Sequence, residues 1–416
     1  MKFAHLADLH IGSWREPKMG DLSSKAFIEA IDLCIKEKVD FILFAGDLFN
    51  TALPPIDKLK LVTKKLKELQ DNQIPVYAIP GSHDFSPSGK TMIDVLENAG
   101  LLTNICKGKV IDGLLQLKLT IDQKTGTGIT GILGKKGMLD RTYYENLDYT
   151  YLQKEISPLQ YKIFLFHTTL TELKPKSQEK SESQPISFLP KGFDYYAGGH
   201  LHLRIEEQLP DYNQIVYPGP LFPNNFSELE ECGSGGFYII EVNTEETKTS
   251  KFTWIPLQSV EHLNIKIESK HQTPVQVEEQ IKQQLENHDL NNKLITLRLS
   301  GHLISGKVND INFKSLVELS QQRGAYHLLK NTSGLQSEEM EEIFGLSAST
   351  SEETEERIIQ EHLQQVKTDF LDKEGELRLI RNLLHAASTE KAEGETKTTF
   401  EKRILEETDA LVGIKN

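Results

Sequence analysis

Apolar and polar positions over the first hundred residues fall into two kinds of stretch. Short, nearly continuous apolar runs (KFAHLAD, FILFAGD, VYAIPG) are separated by longer segments, LSSKAFIEAIDLCIKEK and PIDKLKLVTKKLKELQ, whose apolar residues recur at helical spacing. Phe27, Ile31 and Cys34 mark one apolar face and Leu59, Val62, Leu66 and Leu69 the next, with lysine and glutamate opposite. Strand, helix, strand in this order predicts an α/β layered fold. Further strands are expected at ITGILG, KIFLFH, FDYYAGGH, IVYPGP and GFYIIEV, the last pairing with KFTWIPL across the polar turn NTEETK. The first domain then covers residues 1–257. KPKSQEKSESQPISFLP, residues 174–190, is too interrupted for a core element and reads as a surface loop, either a substrate lid or a solvated insertion.

Residues 258–335 read as a smaller α/β unit, with strands at LNIKIE and LITLRLS around the helix PVQVEEQIKQQLENH. The acidic, Ser/Thr-rich stretch that follows predicts a flexible linker over 336–351. The tail, 352–416, is expected to be helical. Ile359, Leu363, Val366 and Phe370 form one stripe, Leu377, Ile380, Leu383 and Leu384 a second, and FEKRILEETDALV a third segment. Helices this short do not hold their fold alone, so the stripes must dock on the chain's own body or on another protein.

A length of 416 residues with 38% hydrophobic content supports at least one substantial core. No segment offers the roughly 18 uninterrupted apolar residues of a membrane span, and the N-terminus has no apolar leader, so an intracellular, cytoplasmic protein without membrane contact is expected. Cys34, Cys106 and Cys232 are far apart and form no CxxC, which suggests inert core thiols. A net charge of −14 argues against holding a polyanion by bulk electrostatics. Any phosphate-bearing substrate would need local cations, which bound metal or a partner could supply.

The candidate chemistry lies where strands end: Asp8 and His10 in LADLHIG, Asp47 in FAGDLFN, His83 and Asp84 in PGSHD, His167 in FLFHTT, and His200 and His202 in AGGHLH. Ligands of α/β sheets bind outside the carboxyl ends of the strands, so five segments aim imidazoles and carboxylates at one rim. Mixed nitrogen and oxygen ligation suits Mn²⁺, Zn²⁺ or Fe²⁺ better than Ca²⁺. A carboxylate such as Asp47 can bridge two ions about 3.5–4 Å apart, a pair that polarises a phosphoryl group and lowers the pKa of a bound water.

The order DxH, GD, GxHD, H, GHxH resembles the calcineurin-like metallophosphoesterase superfamily. HLADLHIG, FAGDLF and DYYAGGHLH, with the second unit and helical tail, look like its SbcD/Mre nuclease-subunit branch. The motifs span about residues 1–220; the smaller unit and tail match by position and pattern only. The resemblance implies a four-layer αββα sandwich with a smaller α/β DNA-binding cap domain and a C-terminal helical tail. It implies a metal-dependent DNA nuclease, exonuclease or endonuclease, working with two divalent ions, Mn²⁺ above others, in double-strand-break repair. One ion would be held by Asp8, His10, Asp47 and His202, the second by Asp47, Ser82, His167 and His200. His83 would protonate the leaving oxygen or stabilise the phosphate, with Asp84 orienting it. The implied partners are DNA ends, a second copy of the chain and an SMC-like coiled-coil ABC ATPase gripped by the tail.

Two positions depart from the pattern. Ser82 stands where the family has asparagine; on its shorter arm the hydroxyl either ligates directly or leaves a gap that a water fills, and an intact but weaker second site is expected. Asn50 stands where the nuclease branch reads GDLFH, and it can donate a hydrogen bond to phosphate but cannot titrate. Local help for DNA is expected from Trp14, Arg15, Lys135, Lys136 and Arg141. Contacts of this kind read the backbone, so recognition would be structure-selective. Two alternatives stay open: a small-molecule or nucleotide phosphodiesterase, and a scaffold subunit whose site has decayed at Asn50 and Ser82. A protein phosphatase fits less well, because GDLFNTA lacks a following DRG.

Overall fold

The computed structural model describes residues 1–86, 89–176, 181–243, 250–257, 260–337, 359, 373–389, 391 and 395–412. Two six-stranded sheets stack face to face in the first part of the chain. Lys2–Leu6, Phe41–Ala45, Val76–Ile79 and Thr103–Asn104 run parallel in the first sheet, and Gly235–Val242 and Ser250–Leu257 close its other edge antiparallel. In the second, Gly128–Gly131, Lys162–His167, Tyr195–Gly199 and Gln214–Pro218 are parallel, flanked by the antiparallel strands Thr120–Ile121 and Arg204–Gln208.

Burial explains the layering. Every residue of Phe41–Ala45 and of Tyr195–Gly199 is buried, as strands covered on both faces must be. Phe3, Phe41, Leu43 and Tyr77 point between the sheets and meet Ile163, Leu165, Tyr195 and Val216. Phe3 and Phe41 stack there at 5.0 Å. The outer face of the first sheet packs on Phe27, Ile31, Cys34, Val62, Leu66 and Leu69 from the helices Pro17–Lys36 and Ile56–Asp71, the faces their spacing marked. The outer face of the second is covered by Leu152 and Ile156 of helix Tyr149–Ile156. Helices, sheet, sheet, helices is the four-layer α/β arrangement.

A third sheet, Glu261–Gln272, Lys293–Leu303 and His327–Ser337, has its own core with the helices Pro274–Asn287 and Phe313–Gln322. It is packed on the rest: Leu294 joins the helical-side core, and Lys18 and Tyr326 exchange hydrogen bonds with each other's backbone carbonyls. Residues Met1–Leu335 accordingly form one compact unit and Gln336–Asn416 a second. Within the second unit, helices Lys373–Ala387 and Lys397–Val412 correspond to two of the expected tail segments. The stripe Leu363, Val366 and Phe370 lies outside the described residues, as do the NTEETK turn beyond Asn243 and the expected linker beyond Ser337.

Two sequence expectations need correction. The 174–190 segment is not simply a surface loop: Gln184 is fully buried, its backbone pairs with Thr169 and Thr171, and its amide donates to Asp140 at 2.9 Å. Of the cysteines only Cys34 is a core thiol; Cys106 is half-buried and Cys232 exposed, all three free. Among the described residues no helix is long and apolar enough to cross a membrane.

Candidate metal centre

The site forms where the loops after Lys2–Leu6, Phe41–Ala45, Val76–Ile79, Lys162–His167 and Tyr195–Gly199 meet, at the carboxyl ends of parallel strands from both sheets. The first two loops are zipped together: the amides of Asp8, His10 and Ile11 donate to the carbonyls of Gly46, Asp47 and Leu48. Asp8, His10, Asp47 and His200 all have positive φ, 49°, 41°, 50° and 86°. Aspartate and histidine tolerate this region better than most residues, and four of them in it turn the loop backbones sharply at the strand ends.

Asp47 is the point of convergence. Its Oδ2 lies 3.5 Å from His10 Nε2, 3.2 Å from His167 Nε2 and 3.5 Å from Ser82 Oγ, while Oδ1 accepts the His83 amide at 2.8 Å. Asp8 completes the other side, 3.7 Å from His202 Nε2 and 4.0 Å from His167 Nδ1, with both its oxygens accepting the His200 amide. His10 and His202 present their Nε2 atoms to each other at 3.2 Å. Two nitrogens bound about 2.1 Å from one ion at angles of roughly 90–110° sit about 3.0–3.4 Å apart, so this is the spacing of co-ligands.

Three of the imidazoles are held by their other nitrogens, whereas His10 Nδ1 is buried without a hydrogen-bond partner. His167 Nδ1 contacts the Ala45 carbonyl at 2.8 Å and His83 Nδ1 the Asn50 carbonyl at 2.8 Å. A carbonyl only accepts, so each Nδ1 carries the proton and Nε2 is the atom offered to the site. His202 Nδ1 donates to Glu228 at 2.9 Å with the same consequence. His167 Nε2 is buried with no hydrogen-bond partner despite its approach to Asp47, as a ligand nitrogen would be. Three groups have ligating atoms all within 4.8 Å of one another: Asp8, His10 and His202; His10, Asp47 and His83; Asp8, Asp47 and His167. The residues present therefore fit a site for divalent cations.

Charge agrees with that fit. Burial disfavours ionising Asp47, but the facing His167 and His10 hold its carboxyl well below the usual range. Burial likewise disfavours charging His167, yet Asp47 raises its imidazole to about 10. Burial lowers His10 to about 3, leaving it neutral.

Six of the seven expected ligands bring their side chains together here. His200 is exposed, with its ring 5.2 Å from that of His167 and its amide on Asp8. His83, expected beside the ligands, also stands within ligand distance of His10 and Asp47. Asp84 does not orient His83: its oxygens accept the amides of Leu48, Phe49 and Gly81, pinning the GD loop to the SHD turn, and burial followed by the Asp47 charge pushes it up to about 7. The orienting group is the Asn50 carbonyl, which any side chain at that position would supply. Trp14 is a packing residue, its indole donating to the Pro223 carbonyl at 2.8 Å. Arg15 and Lys136 are exposed. Lys135 donates to the Tyr143 hydroxyl and lies over the Phe85 ring, and Arg141 pairs with Glu145 over Phe188.

The glycines of the GD, GxHD and GHxH motifs, Gly46, Gly81 and Gly199, complete the site, with Gly134 and Glu228, which no motif signals. A Cβ on Gly46 or Gly134 would strike the His167 ring, on Gly81 the Asp47 carboxylate, and on Gly199 the Ala45 carbonyl and His167 Nδ1. Gly199→Ala would wedge a methyl into the bond that fixes His167. We expect a loss of about 3 kcal/mol or more in unfolding free energy, the upper range of overpacking, and weaker metal binding, read from urea unfolding with and without Mn²⁺. Glu228 could have been found from Asn225-Phe-Ser-Glu228, which has the spelling of a helix start.

With this geometry in place, comparison with known proteins assigns the domain. The calcineurin-like phosphoesterase profile matches residues 1–204. The chain carries a calcineurin-like phosphoesterase domain. It is similar to the DNA double-strand break repair protein Mre11 of Methanococcus maripaludis, 28% identical over 58% of this chain and 62% of that protein. It is also similar to Mre11 of Methanocaldococcus jannaschii, 27% identical over 65% of this chain and 70% of that one. The uncharacterised metallophosphoesterase YhaO of Bacillus subtilis is 28% identical over 58% and 57%. The chain thus spans somewhat less than two thirds of the length of the first of these relatives.

Ser82 stands where the resemblance implies an asparagine, and its Oγ lies 3.5 Å from Asp47 Oδ2. Ser82→Asn is expected to lower the Mn²⁺ concentration giving half-maximal activity by several-fold, in metal titrations of both proteins; coincident midpoints would show that Ser82 already ligates fully.

Proposed function

We propose that this chain is a metal-dependent DNA nuclease hydrolysing phosphodiester bonds with two divalent ions, Mn²⁺ foremost, and acting at DNA ends in double-strand-break repair. The observation that carries the reading is Asp47 Oδ2, within 3.5 Å of His10 on one side and of His167 and Ser82 on the other. Bound there, two ions would polarise the phosphate and acidify a water. The chain's own groups do the rest. Asp8, His10, Asp47 and His202 hold one position, and Asp47, Ser82, His167 and His200 the other. Asp84 locks the loops that carry them. His83 donates its Nδ1 proton to the Asn50 carbonyl, and in the doubly protonated ring the second proton, on Nε2, would be the one given to the leaving oxygen.

The Mre11 relatives support DNA as substrate. The amphipathic tail helices support the further reading that they grip an SMC-like coiled-coil ABC ATPase, with homodimerisation presenting two sites to an intracellular DNA end. Arg15, Lys135, Lys136 and Arg141 are the basic residues proposed to meet the DNA backbone. The 258–335 unit, a cap in this reading, would flank the same substrate. End-labelled duplex DNA and bis(4-nitrophenyl) phosphate, each with Mn²⁺ and with EDTA, test the proposal. Mn²⁺-dependent loss of the end label supports it; turnover of the small ester with intact DNA would favour a small-molecule phosphodiesterase.

A further inference from the structure

Glu228 belongs to a seven-residue helix, Phe226–Cys232, that touches two things at once. On the metal side, Glu228 Oε1 accepts the Nδ1 proton of His202 at 2.9 Å. The carboxylate is itself fixed by the start of its helix: Oε2 accepts the Asn224 amide at 2.7 Å, and Asn225, which caps the Glu228 amide, donates back to Oε1. On the other side, the residues flanking Glu228 are gripped from the third sheet by one side chain. Arg298, on strand Lys293–Leu303, donates through Nε to Glu230 at 2.7 Å, reaches Ser227 Oγ at 3.4 Å and lies 5.2 Å over the Phe226 ring. The Glu230 side chain is 5% exposed, while that of Arg298 keeps 30% open to solvent.

We infer that Glu228 is a positioning residue for His202 and that Arg298, by holding the helix that carries it, makes metal affinity depend on the seating of the third sheet. The physical reason is rigidity over a short path. A carboxylate on the far nitrogen of a ligating histidine fixes its tautomer and orientation and raises its basicity, and removing it weakens metal binding by about 10–100-fold. Glu228 has no freedom to follow His202 on its own, because its oxygens are tied to residues 224 and 225 of the same helix start. A displacement of Arg298 would therefore reach His202 through two hydrogen-bonded contacts. A ligand that shifts the third sheet would alter the first ion's site without touching it.

The inference rests on the metal reading proposed above, and Mn²⁺ titration calorimetry of the full chain separates the two. Wild type, Glu228→Gln, Arg298→Ala and the double variant are compared, with thermal unfolding in EDTA as the measure of fold. We expect wild type to bind two ions, Glu228→Gln to bind one of them about 10–100-fold more weakly, and Arg298→Ala to weaken the same ion several-fold. The double variant should be no worse than Glu228→Gln, since both act through one contact. Wild type that binds no Mn²⁺ sinks the metal reading and this inference together. Wild-type binding with unchanged affinity in Glu228→Gln overturns the inference alone. Should Glu228→Gln not fold, Arg298→Ala decides: native unfolding with unaltered Mn²⁺ affinity refutes the coupling.

Discussion

Asp47→Asn is expected to reduce Mn²⁺-dependent phosphodiester hydrolysis by roughly a thousandfold or more, and calorimetry should find fewer than two ions bound. The substitution nearly preserves shape, and the carbonyl oxygen can still accept the His83 amide. What it removes is the negative charge that three imidazole or hydroxyl groups share. Divalent ions contribute several kcal/mol of transition-state stabilisation, and each loss of about 1.4 kcal/mol is tenfold in rate. Because Asp47 would serve both candidate ion positions, this variant should lose more than removal of any ligand that would serve one. A variant that kept both ions and most of its rate would show that Asp47 does not bridge.

Much of this site is legible in the amino-acid sequence, for a reason particular to its residues. Asp8, Asp47, His167 and His200 each stand directly behind an apolar strand, and parallel strands deliver their carboxyl ends to one rim. The strands themselves are legible because both of their faces are buried, which leaves uninterrupted apolar runs such as FILFA and KIFLFH. Elements with one wet face are legible where their period is clean, as in LNIKIE, and not where it is broken. His327–Ser337 mixes buried and exposed positions without a clean period, and Gly108–Ile111 is exposed throughout, so neither announces itself.

Roles set by three-dimensional direction are also hidden. Adjacency suggests that Asp84 orients His83, but the turn sends the two side chains to different partners, the aspartate to three backbone amides and the imidazole to a carbonyl 33 residues earlier. Glu228 escapes notice because its meaning depends on where a helix 26 residues beyond His202 is laid down. Gly134 lies outside every motif, and only the crowding around His167 shows that a side chain cannot be there. Local pattern thus reports what a residue can do, and packing decides which neighbour it does it to.

His83→Ala is expected to slow cleavage of DNA by about 10²–10⁴-fold while both ions still bind. The His83 amide, which holds Asp47 at 2.8 Å, survives the substitution, so the ligand shell keeps its anchor. What disappears is an imidazole whose Nδ1 proton is engaged by Asn50, leaving Nε2 as the nitrogen that can carry a proton to the departing oxygen. The nature of that oxygen gives the sharper measurement. A nucleotide 3′- or 5′-oxygen leaves poorly unless protonated, whereas 4-nitrophenolate needs no such help, so the variant should lose far less activity on bis(4-nitrophenyl) phosphate than on DNA. Equal losses on both substrates would assign His83 to phosphate stabilisation instead. Loss of one bound ion would make it a ligand, as its place within 4.8 Å of His10 and Asp47 allows. The ratio of the two rates, measured beside a Mn²⁺ titration, separates these three roles because each removes a different quantity: proton transfer, charge stabilisation or metal.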